Sequence, residues 1–130
     1  MSDYPELKNW RENWGSHQRA WNNDGEFWYG FTLWEAAKDL KPFDLPLAAI
    51  PFNYSPWDLD NIEQIAYHVE AVNKVDFKYP IILDSMGSVL DGHHRIVKAL
   101  IKGMKTIKAV RILDMPPPDG HKEQNQAKDG

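Results

Sequence analysis

The stretch GSVLDGHHRIVKALIKG, Gly87 to Gly103, decides how this chain is read. Ser88 to Asp91 form a compact apolar run of strand type, broken at Gly92. Ile96, Ala99 and Leu100 then fall at helical spacing. Gly103 stands where a helix C-cap glycine belongs. The stretch therefore predicts a strand, a corner at Asp91-Gly92, and a helix from about His94 to Lys102. An acid, a glycine, two histidines and an arginine meet at that corner.

Such a corner suits an anion. The first N–H groups of a helix have no partners within it and lie at the positive end of the helix dipole. A phosphate placed there meets ready donors. Gly92 leaves the backbone open to a ligand. Arg95 offers a planar fork for two phosphate oxygens. His93 and His94 add donors whose charge is tunable near neutral pH. Lys98, one turn beyond Arg95, extends the positive field. Asp91 is the odd member. It has three roles open to it besides a plain helix N-cap: holding Arg95, binding a metal, or taking a proton from a substrate hydroxyl. His94 has a structural role as its plainer alternative. Adjacent histidines at a helix start diverge by about 100°, so a shared metal ion is not expected.

Outward from the corner, YPIILD (79–84) reads as a strand and SMGS (85–88) as a turn, giving a hairpin with SVLD. TIKAVRIL (106–113) reads as a closing strand. Upstream, Asp60-Asn61-Ile62-Glu63 has the form of a capping box, and Ile62, Ile65, Ala66, Val69 and Val72 follow at helical spacing. This predicts an amphipathic helix over Asn61–Val75. Leu45–Phe52 reads as a first strand, and Thr32-Leu33-Trp34-Glu35 as the capped start of a helix ending near Leu40, before Lys41-Pro42. Asn22-Asn23-Asp24-Gly25 is a turn signal. Trp10, Trp14, Trp21, Trp28 and Trp34 make the N-terminal part rich in tryptophan. Their rings read as cover for a small core, with a base-stacking or partner-binding wall as the sharper alternative. From Pro116 onward, three prolines and polar residues read as a tail with no core of its own.

With 130 residues and 42% hydrophobic content, the chain fits one soluble globular domain. It has no cysteine, which excludes disulfides and thiol chemistry and fits a cytoplasmic location. No apolar run approaches the ~20 residues of a membrane helix. The start, MSDYPELKNW, does not resemble a signal peptide. The formal net charge is −4, yet Met86–Ile112 holds 6 basic residues and one acid, Asp91. A local excess of that kind suits a small anionic ligand better than a long polyanion.

The run from Pro80 to Leu113, PIILDSMGSVLDGHHRIVKALIKGMKTIKAVRIL, resembles the core of the ParB/sulfiredoxin superfamily. That core is a strand, a turn, a second strand, a Gly-X-X-Arg corner, a helix and a closing strand. PLAAI and the Asp60–Val75 helix look like its opening strand and helix. The resemblance implies an α+β fold: a small mixed sheet with packed helices, here with a Trp-rich helical N-terminal segment. It divides the chain into 1–44, an extension packed on the core, 45–115, the domain itself, and 116–130, a flexible tail. Sulfiredoxins carry a catalytic cysteine in this corner, and none exists here. ParB partition proteins use Gly-Glu-Arg-Arg on the phosphates of CTP; Gly92 and Arg95 match that pattern. Free serine kinases of the superfamily carry Asp-Gly-His-His-Arg itself, which corresponds to Asp91–Arg95.

The resemblance thus implies a nucleotide-phosphate site at Gly92, His93, His94, Arg95 and Lys98. ATP, ADP or CTP are the candidate ligands, with Mg²⁺ as companion. A phosphotransferase would also need a carboxylate to steer a small hydroxyl acceptor. Asp58, Asp60 and Asp91 are the candidates, since the kinases' catalytic glutamate has no clear counterpart. Two other classes stay open: a nucleotide-responsive binding module without catalysis, and a nucleic-acid-associated protein, against which the net charge weighs.

Overall fold

A computed structural model describes residues 19–122. Trp10 and Trp14 lie outside the described residues.

The chain opens with a hairpin of β1 (Arg19–Trp21) and β2 (Glu26–Tyr29), paired antiparallel. The Asn22–Gly25 turn forms as its residue types predict. Asn22 Oδ1 accepts from the backbone N–H groups of Asp24 and Glu26, and Gly25 takes φ +81°. The expectation of a helical Trp-rich segment is thus corrected for residues 19–29. Phe27 and Trp28 are both buried on this strand, between half-exposed Glu26 and Tyr29, and bulky aromatics suit a pleated surface packed on a core.

The helix α1 (Gly30–Ala37) follows directly, with Tyr29 at its N-cap position and no side-chain cap. The Thr32–Glu35 box does not set its start, because the chain enters the helix straight from β2. Then come β3 (Phe43–Pro46), a single 3-10 turn (Leu47–Ala49), and the long loop to α2 (Ile62–Lys74). The predicted strand Leu45–Phe52 is therefore displaced: it starts earlier and ends at Pro46. The cap of α2 is one residue later than predicted. Asn61 accepts from the Gln64 N–H, and the Gln64 side chain accepts from the N–H of Asp60.

The hairpin β4 (Ile81–Leu83) and β5 (Val89–Asp91) leads into α3 (His93–Ile101), then β6 (Thr106–Arg111) and β7 (Gly120–His121). Gly103 ends α3 as its position predicts. It takes φ +72°, its N–H bonds to Leu100, and the Met104 N–H bonds to Ala99, the two bonds of a Schellman motif.

The molecule is a small mixed α/β protein with two sheets and three helices among the described residues. One sheet has the order β3-β6-β4-β5, with β4 and β6 parallel and the other pairs antiparallel. The second has the order β1-β2-β7. Ile81, Ile82 and Leu83 are almost completely buried, because β4 is covered on both faces. Strand alternation sends Ile82 and Val110 to one side, against Trp28, Leu33 and Trp34. Ile81, Leu83, Ile107 and Ala109 go to the other, against Ile96 and Ala99 of α3. Trp28 and Trp34 are therefore core rings, whereas Trp21 is half exposed.

The expectation of a flexible tail from Pro116, with no core of its own, meets contacts to β2 over residues 116–121. The Trp28 indole N–H donates to the Pro116 carbonyl at 2.8 Å, and the Tyr29 N–H donates to Asp119 Oδ2 at 2.8 Å. Gly120 and His121 then pair with Phe27 and Glu26. Residues 123–130 lie outside the described residues.

Candidate functional site

The corner forms where the residues place it. Gly92 is the N-cap of α3 at φ +112°, a backbone region that glycine enters without strain. A Cβ at this position would lie 2.5 Å from Ile81 Cγ2 and 2.9 Å from Ile81 Cβ. The glycine is therefore dictated by packing against β4 as well as by the turn. It brings no side chain to cap α3, so the first N–H groups of a nine-residue helix are uncapped. That helix end borders a cavity of about 960 Å³, lined by Gly92, His93, His94 and Arg95 together with Trp34, Tyr54 and Trp57.

Asp91 resolves its ambiguity through its contacts. Its Oδ2 accepts from Arg95 Nη2 at 3.1 Å and from the Trp34 indole N–H at 3.3 Å. The Arg95 and Asp91 side chains are only 12% and 19% exposed. The pair holds the guanidinium at the cavity wall. The Arg95 Nε is buried and has no hydrogen-bond partner among the described residues.

The two histidines diverge as their adjacency requires. His93 Nε2 lies 2.7 Å from the Tyr54 hydroxyl. Burial holds the His93 pKa below the usual histidine value, against a smaller opposing pull from Asp91. His94 Nε2 lies 2.8 Å from His68 Nδ1 of α2, so one ring donates and the other accepts. Trp57 lies flat over this pair, 4.3 Å from the His68 ring centroid and 4.4 Å from that of His94. Burial, reinforced by the neighbouring His68, pushes His94 down to about 4; burial also lowers His68. All three rings are neutral at pH 7, so the positive charge at the corner comes from Arg95 and the helix end.

Lys98, expected to extend the phosphate site, is placed elsewhere. Its Nζ donates to the carbonyls of Val75 (2.8 Å) and Asn73 (3.2 Å), at the C-terminal end of α2. A lysine there satisfies orphan carbonyls and the negative end of the dipole. Asp58 and Asp60 are not brought to the corner. Asp58 borders a second, shallower cavity of about 550 Å³ with Asn61, Glu63 and Tyr67. Asp60 is exposed just before α2. Of the three acids expected to do chemistry, the structure places Asp91 alone on the larger cavity, and it places it on Arg95.

Compared with family models, curated proteins and solved structures, the chain matches none.

Tyr54, Trp57 and His68 are site residues that the sequence reading missed. His68 lies on a predicted helix, off its apolar stripe. Tyr54 and Trp57 sit in the loop NYSPWD (53–58), whose two aromatics beside proline were the available signal. Among the described residues, no three or more His, Cys, Asp or Glu side chains gather to hold a metal ion.

Proposed function

We propose that this chain is a nucleotide-binding protein of ParB-like type, with the phosphates held at Gly92–Arg95. The observation that carries the reading is the uncapped N-terminus of α3, with Arg95 beside it, opening on a cavity of about 960 Å³. Ligand cavities commonly measure ~300–1,000 Å³. Aromatic and apolar walls on one side and N–H donors on the other suit a ligand with a flat base and an anionic end. ATP, ADP and CTP are the candidates, and Mg²⁺ would travel with their phosphates.

The test is a thermal-shift screen of ATP, ADP, CTP and GTP, with and without Mg²⁺, followed by calorimetry on Arg95→Ala and Arg95→Lys. A ligand at ~100 times its dissociation constant should stabilise the fold by roughly 2.7 kcal/mol. Arg95→Ala should weaken binding strongly. Arg95→Lys should restore it only in part, because an ammonium cannot reproduce the fork. No shift with any nucleotide would end the reading.

A second reading adds phosphoryl transfer to a small hydroxyl metabolite. One observation favours it: His93 is a neutral imidazole on the cavity wall, hydrogen-bonded to Tyr54. A neutral imidazole can take the acceptor's proton as the oxygen attacks phosphorus. His93 replaces Asp58 and Asp60 as the candidate base. Nucleotide turnover with hydroxyl acceptors, lost in His93→Gln while nucleotide still binds, separates transfer from binding alone.

A further inference from the structure

A nucleotide held by its phosphates at the end of α3 needs a flat surface for its base. Four tryptophan and tyrosine rings border the cavity: Trp21, Trp34, Tyr54 and Trp57. Three of them are engaged by the fold. Trp34 is a core ring, 7% exposed, whose indole N–H donates to Asp91. Trp21 leans on Phe27, with ring centroids 4.9 Å apart. On β1 its side chain points away from the side of Ala20, which packs against the core. Trp57 lies flat on His68 and His94.

Tyr54 differs from all three. It is 48% exposed. Its hydroxyl lies 2.7 Å from His93 Nε2, and the two rings stand at 88° to one another. His93 thus holds Tyr54 by its hydroxyl edge, and among the described residues no ring stacks flat on it. His93 is the first residue of α3, so the tyrosine stands beside the uncapped helix end. Its place in the loop is also fixed. Pro56 restricts the backbone two residues on, and Ser55 Oγ donates to the Trp57 carbonyl at 2.8 Å. A ring already held in position loses little further freedom when a ligand lands on it. Stacking on such a ring accepts any base, since every base has a π face.

We propose that Tyr54 is the stacking platform for the base of the bound nucleotide. The inference rests on phosphate binding at Gly92–Arg95 and assigns the other end of the same ligand.

Calorimetry of the full chain with ATP and with inorganic tripolyphosphate tests it, because tripolyphosphate carries the charges without the base. The wild-type chain should bind ATP more tightly than tripolyphosphate, and Arg95→Ala should weaken both. Tyr54→Ala should weaken ATP by about tenfold, the size of a lost stacking contact, and tripolyphosphate by less than about twofold. Tyr54→Phe keeps the ring and should hold ATP within about threefold of the wild type. Circular dichroism checks that both variants fold. Unchanged ATP affinity in Tyr54→Ala, equal losses for ATP and tripolyphosphate, or a Tyr54→Phe variant as weak as Tyr54→Ala overturns the proposal and leaves the phosphate site standing. ATP binding that is absent from the wild-type chain, or indifferent to Arg95→Ala, overturns the phosphate site and the proposal with it.

Discussion

Gly92 and Ile81 are in such close contact that one added methyl group decides the corner. Gly92→Ala meets two penalties: φ +112° is strained for any residue with a Cβ, and that Cβ overlaps a buried isoleucine. Left-handed backbone costs roughly 1–2 kcal/mol, and overpacking a core adds about 1–3 kcal/mol. The variant should therefore lose about 2–5 kcal/mol in urea melts; a loss under ~1 kcal/mol would show that β4 yields easily. Arg95 and Lys98 separate at the same scale. They lie three residues apart and look alike in the sequence, yet one faces the cavity and the other ties α3 to the end of α2. Lys98→Ala is expected to cost about 1 kcal/mol of stability and to leave nucleotide affinity nearly unchanged, while Arg95→Ala should weaken nucleotide binding strongly in calorimetry. Equal losses of affinity would mean a diffuse basic surface. The first half of this contrast was legible, since Arg95 falls in the first turn of a predicted helix. The destination of Lys98 was not, because it depends on where Asn73 and Val75 end another helix.

Between elements, the contact of α2 with α3 is sensitive to acid. Folded His94 takes its proton only near pH 4, because burial and His68 disfavour the imidazolium. An unfolded histidine takes it near pH ~6.5. Between these values the unfolded chain binds more protons, so stability rises with pH. The stabilisation is complete above about pH 6.5 and is lost as the pH falls through about 4. For a half-buried ring, screened by solvent, this amounts to on the order of 1–2 kcal/mol. Urea midpoints measured from pH 7.5 to 4 should fall accordingly, and His94→Gln should flatten that slope; an unchanged slope would place the acid sensitivity elsewhere. Docking of β7 on β2 gives a second prediction. Truncation after Met115 removes the Pro116, Asp119 and Gly120–His121 contacts with β2 and should lower the melting temperature by several degrees. Gly120→Ala should do the same more mildly, since its Cβ would lie 2.5 Å from the Phe27 ring. A truncated chain melting with the full one would mean that these contacts add nothing. Helix and strand types were legible here from the period of the apolar residues. Which residues of α2 turn inward was not: of the predicted apolar stripe Val72 is buried, Ile62, Ile65 and Val69 stay exposed, and His68 meets His94.

At the scale of the whole molecule, three of the six basic residues in Met86–Ile112 are engaged within the fold. Arg95 is held by Asp91, Lys98 by the carbonyls of α2, and Lys108 by Asp44 at 2.8 Å. With a net charge of −4, the chain is expected to pass a duplex-DNA column unretained at ~0.15 M salt, where backbone binding needs several free cations. Retention that falls steeply with added salt would contradict this. The sequence alone determined what local sterics and spacing govern: the Asn22–Gly25 turn, the strand-to-helix corner at Gly92, the Schellman stop at Gly103, and the helical character of α2 and α3. Each depends on residues within a few positions of one another, so residue type suffices. Only the tertiary structure decided that Trp57 covers His68 and His94, that Asp91 serves Arg95 and Trp34, and that Gly120 returns to β2. The contacts of Trp57 with His94, of Asp91 with Trp34 and of Gly120 with Phe27 join residues 37, 57 and 93 positions apart in the chain. Local rules assign each segment a conformation and leave its partners open; the partners are chosen by the shape and polarity of a core that exists only once the segments have packed.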